Sequence, residues 1–198
     1  MNYVVVSTKY KSAIIYPKSS STIFRQGDRA GLLYLVKSGC VVLSCVTRSG
    51  YRQVAGFVFP GEIFGWEASA DHQYCATSAG CSSVQMFHGS QAEDLRRTNL
   101  EASFALLRDE LLIVSRPSAE ARVAAFLDNL LLRQGSARRI YLPMHRFEIA
   151  EYLGLSPETV SRVLHRFMKK ALIEMPSLQM ITVVDRALLK KTSGLDRD

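Results

Sequence analysis

The chain is poor in the residues that build metal and redox centres. It has four cysteines and four histidines in 198 residues. No cysteine precedes Cys40, and Cys40, Cys45, Cys75 and Cys81 form no Cys-x-x-Cys pair. That spacing argues against structural zinc or an iron–sulfur cluster. His72, His88, His145 and His165 are scattered, which argues against a β-roll metalloenzyme with clustered His and Glu ligands. No metal site, cofactor or enzymatic activity is expected. No apolar run is long enough to cross a bilayer. The opening MNYVVVSTKYKS lacks the layout of a signal peptide, so a cytoplasmic protein with no membrane partner is expected. In a reducing compartment disulfides are disfavoured. The cysteines therefore read as small apolar side chains, with Cys75 and Cys81 the candidate redox thiols. Haem or metal on His72, Cys75 or His88 is a lesser alternative. Acidic residues are also short: 18 against 25 basic ones, a net charge of +7. That balance favours a polyanionic partner.

What is present points to nucleic acid. From Phe147 to Glu174 the sequence reads FEIAEYLGLSPETVSRVLHRFMKKALIE. Gly154 and Leu155 interrupt one amphipathic segment. Ser156 is then placed as an N-cap and Pro157 at the first helical position, so a second helix starts here. Val160, Val163, Leu164 and Phe167 share one face of it, and Glu158, Ser161, Arg162 and His165 share the other. A short helix with a dry back and a donor- and acceptor-rich front suits the DNA major groove. Arginine can give two parallel hydrogen bonds to guanine O6 and N7, and glutamate can accept from cytosine N4. The alternative is an ordinary i,i+4 surface pair between Glu158 and Arg162. Lys169 and Lys170 close the helix, either as favourable charges at its C-terminus or as phosphate contacts. Arg138 and Arg139 are further candidates for the DNA backbone.

The Ser-Pro-Glu-Thr-Val-Ser-Arg string, after a Gly-Leu turn, resembles the DNA-binding signature of the CRP/FNR superfamily of bacterial transcription regulators. Its Glu-x-x-Ser-Arg core is similar to the FNR and FixK branch; the cyclic-AMP receptor branch has Gly where Ser161 stands. The resemblance implies a TTGAT…ATCAA inverted repeat read by Glu158, Ser161 and Arg162, with Pro157 beside them. It implies a backbone contact from Arg146, and Thr159, His165 and Lys169 are further candidates for the backbone. Pro157 departs from the commoner residues at its position, which leaves the outer base pairs of the half-site open. His145 replaces the usual Thr N-cap.

The N-terminal half reads as β-structure. Gly27, Gly39, Gly50 and Gly61 recur about every eleven residues, with short apolar runs between them. Leu32–Val36, Cys40–Leu43 and Gln53–Val58 read as strands, and Ser49-Gly50 as a hairpin turn. This predicts a small barrel or sandwich. Cys40 and Cys45 would face opposite sides of one continuous strand. Phe59-Pro60-Gly61-Glu62-Ile63-Phe64-Gly65 resembles the Pro-Gly-Glu element of a cyclic-nucleotide-binding β-roll. A working pocket in that family also has an Arg-Ser/Ala pair downstream. Here the matching stretch is Gln73-Tyr74-Cys75-Ala76-Thr77, and the arginine is absent. A buried phosphate without a cationic partner is costly, so cyclic nucleotide is not expected. Trp66 reads as roll or interface packing.

Leu100, Phe104, Leu107, Leu111 and Val114 step by 4, 3, 4 and 3, a heptad seam over two heptads. It predicts a helix over about 90–115 that either pairs with a second copy or packs on its own roll. The resemblance implies the first. Pro117 ends it. A new amphipathic helix follows, with Val123, Phe126, Leu127, Leu130 and Leu131 on its apolar face. Ile140–Pro143 reads as a short strand. Leu172–Met175 and Met180–Val184, joined by a turn at Pro176-Ser177, read as a wing. Asp185 can cap a last helix over 186–191, and the tail 192–198 is expected to fray.

The expected fold is therefore α+β: a β-roll over 1–89, a dimerisation helix and hinge over 90–116, and a winged helix-turn-helix over 117–198. The expected function is a homodimeric, sequence-specific transcription regulator acting on double-stranded DNA. The resemblance adds contact with RNA polymerase and activation of transcription. The alternative is a regulator of the same fold gated by thiol oxidation, haem, nitric oxide or a small ligand.

Overall fold

A computed structural model describes residues 13–194. The signal-peptide reading (1–12) and the last four residues of the expected frayed tail lie outside them. The chain divides into two compact units, between Arg108 and Asp109.

The first unit is all-antiparallel β-structure leading into a helix. Its strands are β1 (Ile14–Ile15), β2 (Thr22–Phe24), β3 (Leu33–Ser38), β4 (Val41–Val46), β5 (Arg52–Val58), β6 (Ile63–Phe64), β7 (Cys75–Ser78) and β8 (Ser83–Phe87). They form two four-stranded sheets, ordered β1-β8-β3-β6 and β2-β7-β4-β5. Alternation along the strands sends Phe24, Tyr34, Val36, Val41, Val58, Phe64, Ala76 and Val84 into one shared core. The opposite face of β3 and β8 offers Leu33, Leu35 and Phe87. Ala92 and Leu95, from the first turns of helix α1 (Gly89–Val114), pack there with Ile63 and Trp66. Trp66 also donates its ring N–H to the Ile63 carbonyl at 3.3 Å.

The glycines that punctuate this half sit in the left-handed region, at φ of 89°, 83°, 82° and 88° for Gly27, Gly39, Gly50 and Gly61. Gly39 is the most constrained. A Cβ there would lie 2.6 Å from the Cys81 carbonyl oxygen. One expectation needs correction: Cys40 and Cys45 do not share a continuous strand. Cys40 precedes β4, in the tight turn made by Gly39, and its N–H donates to the Ser82 hydroxyl at 3.2 Å.

The second unit is built round α2 (Ala119–Arg133), which packs against α4 (Pro157–Lys169) and α5 (Arg186–Ser193). Ser118 caps α2 by accepting the Ala121 N–H at 3.1 Å, and Pro117 just before it closes α1. Val123, Phe126, Leu127, Leu130 and Leu131 are all buried, as their spacing predicts. The remaining elements are β9 (Arg139–Tyr141), α3 (Arg146–Leu153), β10 (Ile173–Ser177) and β11 (Met180–Val183), with the sheet ordered β10-β11-β9.

The wing differs from its predicted form in one respect. Its turn is Leu178-Gln179, and Pro176 lies inside β10. β10 is an edge strand, and the pairing register shifts between Glu174 and Ser177. A proline costs no ladder hydrogen bond at such an irregularity. The last helix also runs further than expected, to a fully buried Ser193.

Candidate nucleic-acid interface

Three local devices form the helix-turn-helix. α3 starts at His145, whose side chain makes no cap bond. Glu148 substitutes: its carboxylate accepts the His145 N–H at 2.8 Å. α3 ends at Gly154, in the left-handed conformation at φ 63°. The Leu155 N–H then reaches the Ala150 carbonyl at 2.9 Å, closing the end of α3 as a Schellman turn. Two residues later Ser156 caps α4, accepting the Thr159 N–H at 3.1 Å, with Pro157 in the first turn.

α4 has the two faces that its sequence implies. Val160, Val163, Leu164 and Phe167 are buried, whereas Pro157, Glu158, Ser161, Arg162, His165 and Lys169 are exposed. The polar face is ordered by a run of hydroxyls. Arg162 Nη2 donates to Thr159 Oγ1 at 3.4 Å, and Thr159 Oγ1 lies 2.9 Å from Ser156 Oγ. Glu158 is held below its ordinary pKa by its own backbone N–H, then by the Ser156 hydroxyl and the charge of Arg162. Arg162, Thr159 and Ser156 thus stand in one connected row, with Glu158 exposed beside it. This row leaves an ionised carboxylate and a guanidinium side by side on the exposed face. Such a pair can accept from a cytosine amino group and donate to a guanine edge.

The other expected DNA-facing residues differ in state. Thr159 is half-buried and spends its hydroxyl on the cap. Arg146 is half-buried too. Its Nη2 lies 3.7 Å from Met175 Sδ on β10, and its Nη1 is buried without a hydrogen-bond partner. Burial lowers its pKa. Lys170 and Arg166 lie 3.8 Å and 3.2 Å from the Glu120 carboxylate, exposed pairs worth about 0–1 kcal/mol. Arg138 and Arg139 are exposed at the start of β9. Sequence reasoning assigned Ser156 only a capping role and Thr159 a backbone contact. Their i,i+3 spacing, with Arg162 three residues further on, was the available sign of a connected row.

Along α1, Leu100, Phe104, Leu107 and Leu111 are 50–64% exposed, and Val114 is half-buried. Four large apolar side chains in one exposed stripe are more than scattered surface residues. Cys75 begins β7 and Cys81 follows its end, and both are free thiols. Cys75 Sγ accepts the Gln26 N–H at 3.3 Å, and Cys81 is exposed. His72 is buried, stacked on Phe24 at 3.6 Å, and its Nδ1 lies 3.2 Å from Glu67 Oε1. Among the described residues no group of three or more His, Cys, Asp or Glu could hold a metal ion. No helix among them is long and apolar enough to cross a membrane.

The loop before β6 is where a cyclic phosphate would sit in a nucleotide-binding roll. Glu62 Oε2 accepts the Phe59 N–H at 2.8 Å, so this carboxylate closes its own turn. The Tyr74 hydroxyl accepts the Gly65 N–H at 3.1 Å and takes a backbone donor that an anion would use. Burial pushes the Tyr74 phenol up to about 12, so it stays neutral. Phe24, Tyr34, Phe64, His72 and Tyr74 fill the space between the sheets with rings. The stretch from Gln73 to Thr77 brings no cation. These residues do not fit a cyclic phosphate.

The comparisons with known proteins follow the same division. Residues 16–93 match the cyclic nucleotide-binding domain, and residues 121–192 the Crp-like helix-turn-helix domain. The nitrogen fixation regulation protein FixK of Rhizobium meliloti (strain 1021) is 35% identical over 176 residues, covering 87% of this chain and 83% of that protein. The transcriptional activator protein FnrA of Stutzerimonas stutzeri is 34% identical, covering 79% of this chain and 71% of that one. The structure of FixK2 from Bradyrhizobium japonicum superposes with a TM-score of 0.80 at 26% identity, covering 92% of this chain and 98% of that one. The two matched domains, the dry-backed second helix of the helix-turn-helix and the likeness to FixK and FnrA over 87% and 79% of the chain agree: the chain belongs to the CRP/FNR family of DNA-binding transcription regulators.

Proposed function

We propose that the protein is a cytoplasmic homodimer that reads a TTGAT…ATCAA-type inverted repeat and activates transcription without cyclic nucleotide. The observation that carries this reading is the exposed row Glu158, Ser161 and Arg162 on the dry-backed α4. Glu158 accepts from a cytosine, Arg162 grips a guanine, and Ser161 and Pro157 complete the base-facing surface. His165, Lys169 and Arg146 serve the phosphates, which fix position without reading sequence, and Thr159 could join them only by releasing its hydroxyl from the Ser156 cap. Arg146 does so by turning off Met175. The stripe Leu100, Phe104, Leu107, Leu111 and Val114 pairs with its copy. A two-fold dimer then sets two recognition helices about one DNA turn, ~34 Å, apart, which matches a palindrome. Contact with RNA polymerase rests on the family alone.

The test is fluorescence anisotropy of the reduced, ligand-free protein on a TTGAT…ATCAA duplex and on a scrambled duplex at physiological salt. Strong preference for the repeat is expected. Equal, weak binding to both would overturn the effector-independent reading. Specific binding gained only on thiol oxidation, or on addition of haem, would establish the gated alternative instead.

A further inference from the structure

Two arginines away from the base-reading face tie the helix-turn-helix to the end of α1. Arg116 lies in the hinge. Its Nε donates to the Leu112 carbonyl at 2.8 Å, and its Nη1 to the Gly194 carbonyl at 3.0 Å. Arg122 lies in the first turns of α2. Its Nε donates to the Arg116 carbonyl at 2.8 Å, and its Nη1 to the Leu153 carbonyl at 3.1 Å.

Three of the four acceptors share a chemistry, the Arg116 carbonyl lying between α1 and α2. Leu112 is in the last turn of α1, Leu153 is the last residue of α3, and Gly194 closes α5. Carbonyls at helix ends have no intrahelical partner and carry the negative end of the helix dipole. Guanidinium donors there make charge-assisted bonds. The connections form one path. α5 is joined by Arg116 to the last turn of α1, and the Arg116 carbonyl is joined by Arg122 to the turn of the helix-turn-helix. Arg122 lies against that turn: a Cβ on Gly154 would be 3.7 Å from its Nη1.

We infer that Arg122 is a positioning residue that sets the separation at which the dimer's two recognition helices address DNA. It touches no base. It fixes how the Leu153–Ser156 turn, and so α4, stands relative to the last turn of the pairing helix. The rigid guanidinium plane holds its Nε and Nη1 donors at a fixed spacing that spans the two carbonyls, whereas a lysine carries all its donors on one nitrogen at the end of a flexible stem. Each base pair added between half-sites moves one of them by about 3.4 Å and turns it by about 34°. A stiff link should resist that displacement, and a loosened one should follow it. This inference rests on the dimeric, palindrome-reading function proposed above.

The test uses the full chain with Arg122→Lys, Arg122→Ala and Arg116→Lys. Anisotropy is measured on duplexes whose half-sites stand at the best separation, or one and two base pairs closer or further. A further duplex carries a substituted guanine in one half-site. The parent protein is expected to discriminate between spacers. In the Arg122 variants that discrimination should shrink by about tenfold, the worth of one charged hydrogen bond, while rejection of the substituted guanine persists. Arg116→Lys, which cuts the same path at its other member, should move the spacer profile the same way. If the variants keep the parental spacer profile and lose affinity uniformly, or lose only thermal stability, Arg122 is structural and the inference fails. Should Arg122→Ala not fold, the two lysine variants decide the matter. A parent that shows no preference for an inverted repeat would overturn the dimeric reading itself, a result distinct from an unchanged spacer profile.

Discussion

Arg162 and Thr159 are joined across one turn of the recognition helix, guanidinium Nη2 to hydroxyl Oγ1 at 3.4 Å. The hydroxyl is itself anchored on the Ser156 cap at 2.9 Å. The consequence is orientation. A free arginine on an exposed face samples many rotamers, and ordering it on binding costs affinity. Here part of that ordering is done before any base is met.

Replacing Arg162 by alanine should cost about 1–3 kcal/mol on the repeat and relax preference at a single guanine. Lys169→Ala should weaken every duplex alike and reduce the slope of log K against log salt by about one. Competition binding on single-base variants at several salt concentrations separates the two. If Arg162→Ala left sequence preference intact, the assignment of α4 as the reading helix would be wrong.

Ser156→Ala removes both the cap of α4 and the anchor of Thr159. We expect a loss of about 1 kcal/mol in urea unfolding. We also expect weaker discrimination at the guanine assigned to Arg162, although residue 162 is untouched. Stability loss with unaltered discrimination would show that the hydroxyl row caps the helix and does no more.

Glu158 titrates below its ordinary value because its own N–H, then the Ser156 hydroxyl and Arg162, favour the carboxylate. The sign follows: what a depressed carboxylate contributes is present above the unfolded pKa and lost as pH falls through the folded one. Discrimination at the cytosine should therefore stay flat from about pH 8 to about pH 5, above the ordinary glutamate value of about 4.3. An NMR titration of the Glu158 carboxyl carbon checks this directly. A midpoint at or above the ordinary value would refute it. Glu158→Gln should lose the discrimination at every pH.

Arg133 and Glu110 form a largely buried ion pair at 3.3 Å, with side chains 8% and 19% exposed. Breaking such a pair strands one charge. Arg133→Met should destabilise the protein by about 3 kcal/mol, and adding Glu110→Leu should recover much of that. Chemical unfolding of the single and double variants tests the coupling. Equal effects of the two would mean that the pair contributes little.

Much of the interface was legible in the chain. The two faces of α4, its Ser156 cap and the Gly154 turn depend on spacing and on local backbone chemistry, which one strand of sequence carries whole. The same holds for the positive-φ glycines between strands and for the exposed apolar stripe on α1. The wing turn was not legible. Pro176-Ser177 has the composition of a turn, but an edge strand with a register shift tolerates proline, and which strand forms the edge is a property of the sheet.

What the sequence determined by itself was local: where helices start and stop, which face of each is dry, and which side chains stand in a row on the exposed face of α4. Periodicity and capping act over a few residues, so they survive without a fold. Only the tertiary structure decided which distant groups meet. It put Arg122 on the Leu153 carbonyl, 31 residues away, laid Arg146 against Met175, and closed the roll with Tyr74 on Gly65. Such pairings follow from how sheets and helices pack, and no spacing along the chain encodes them.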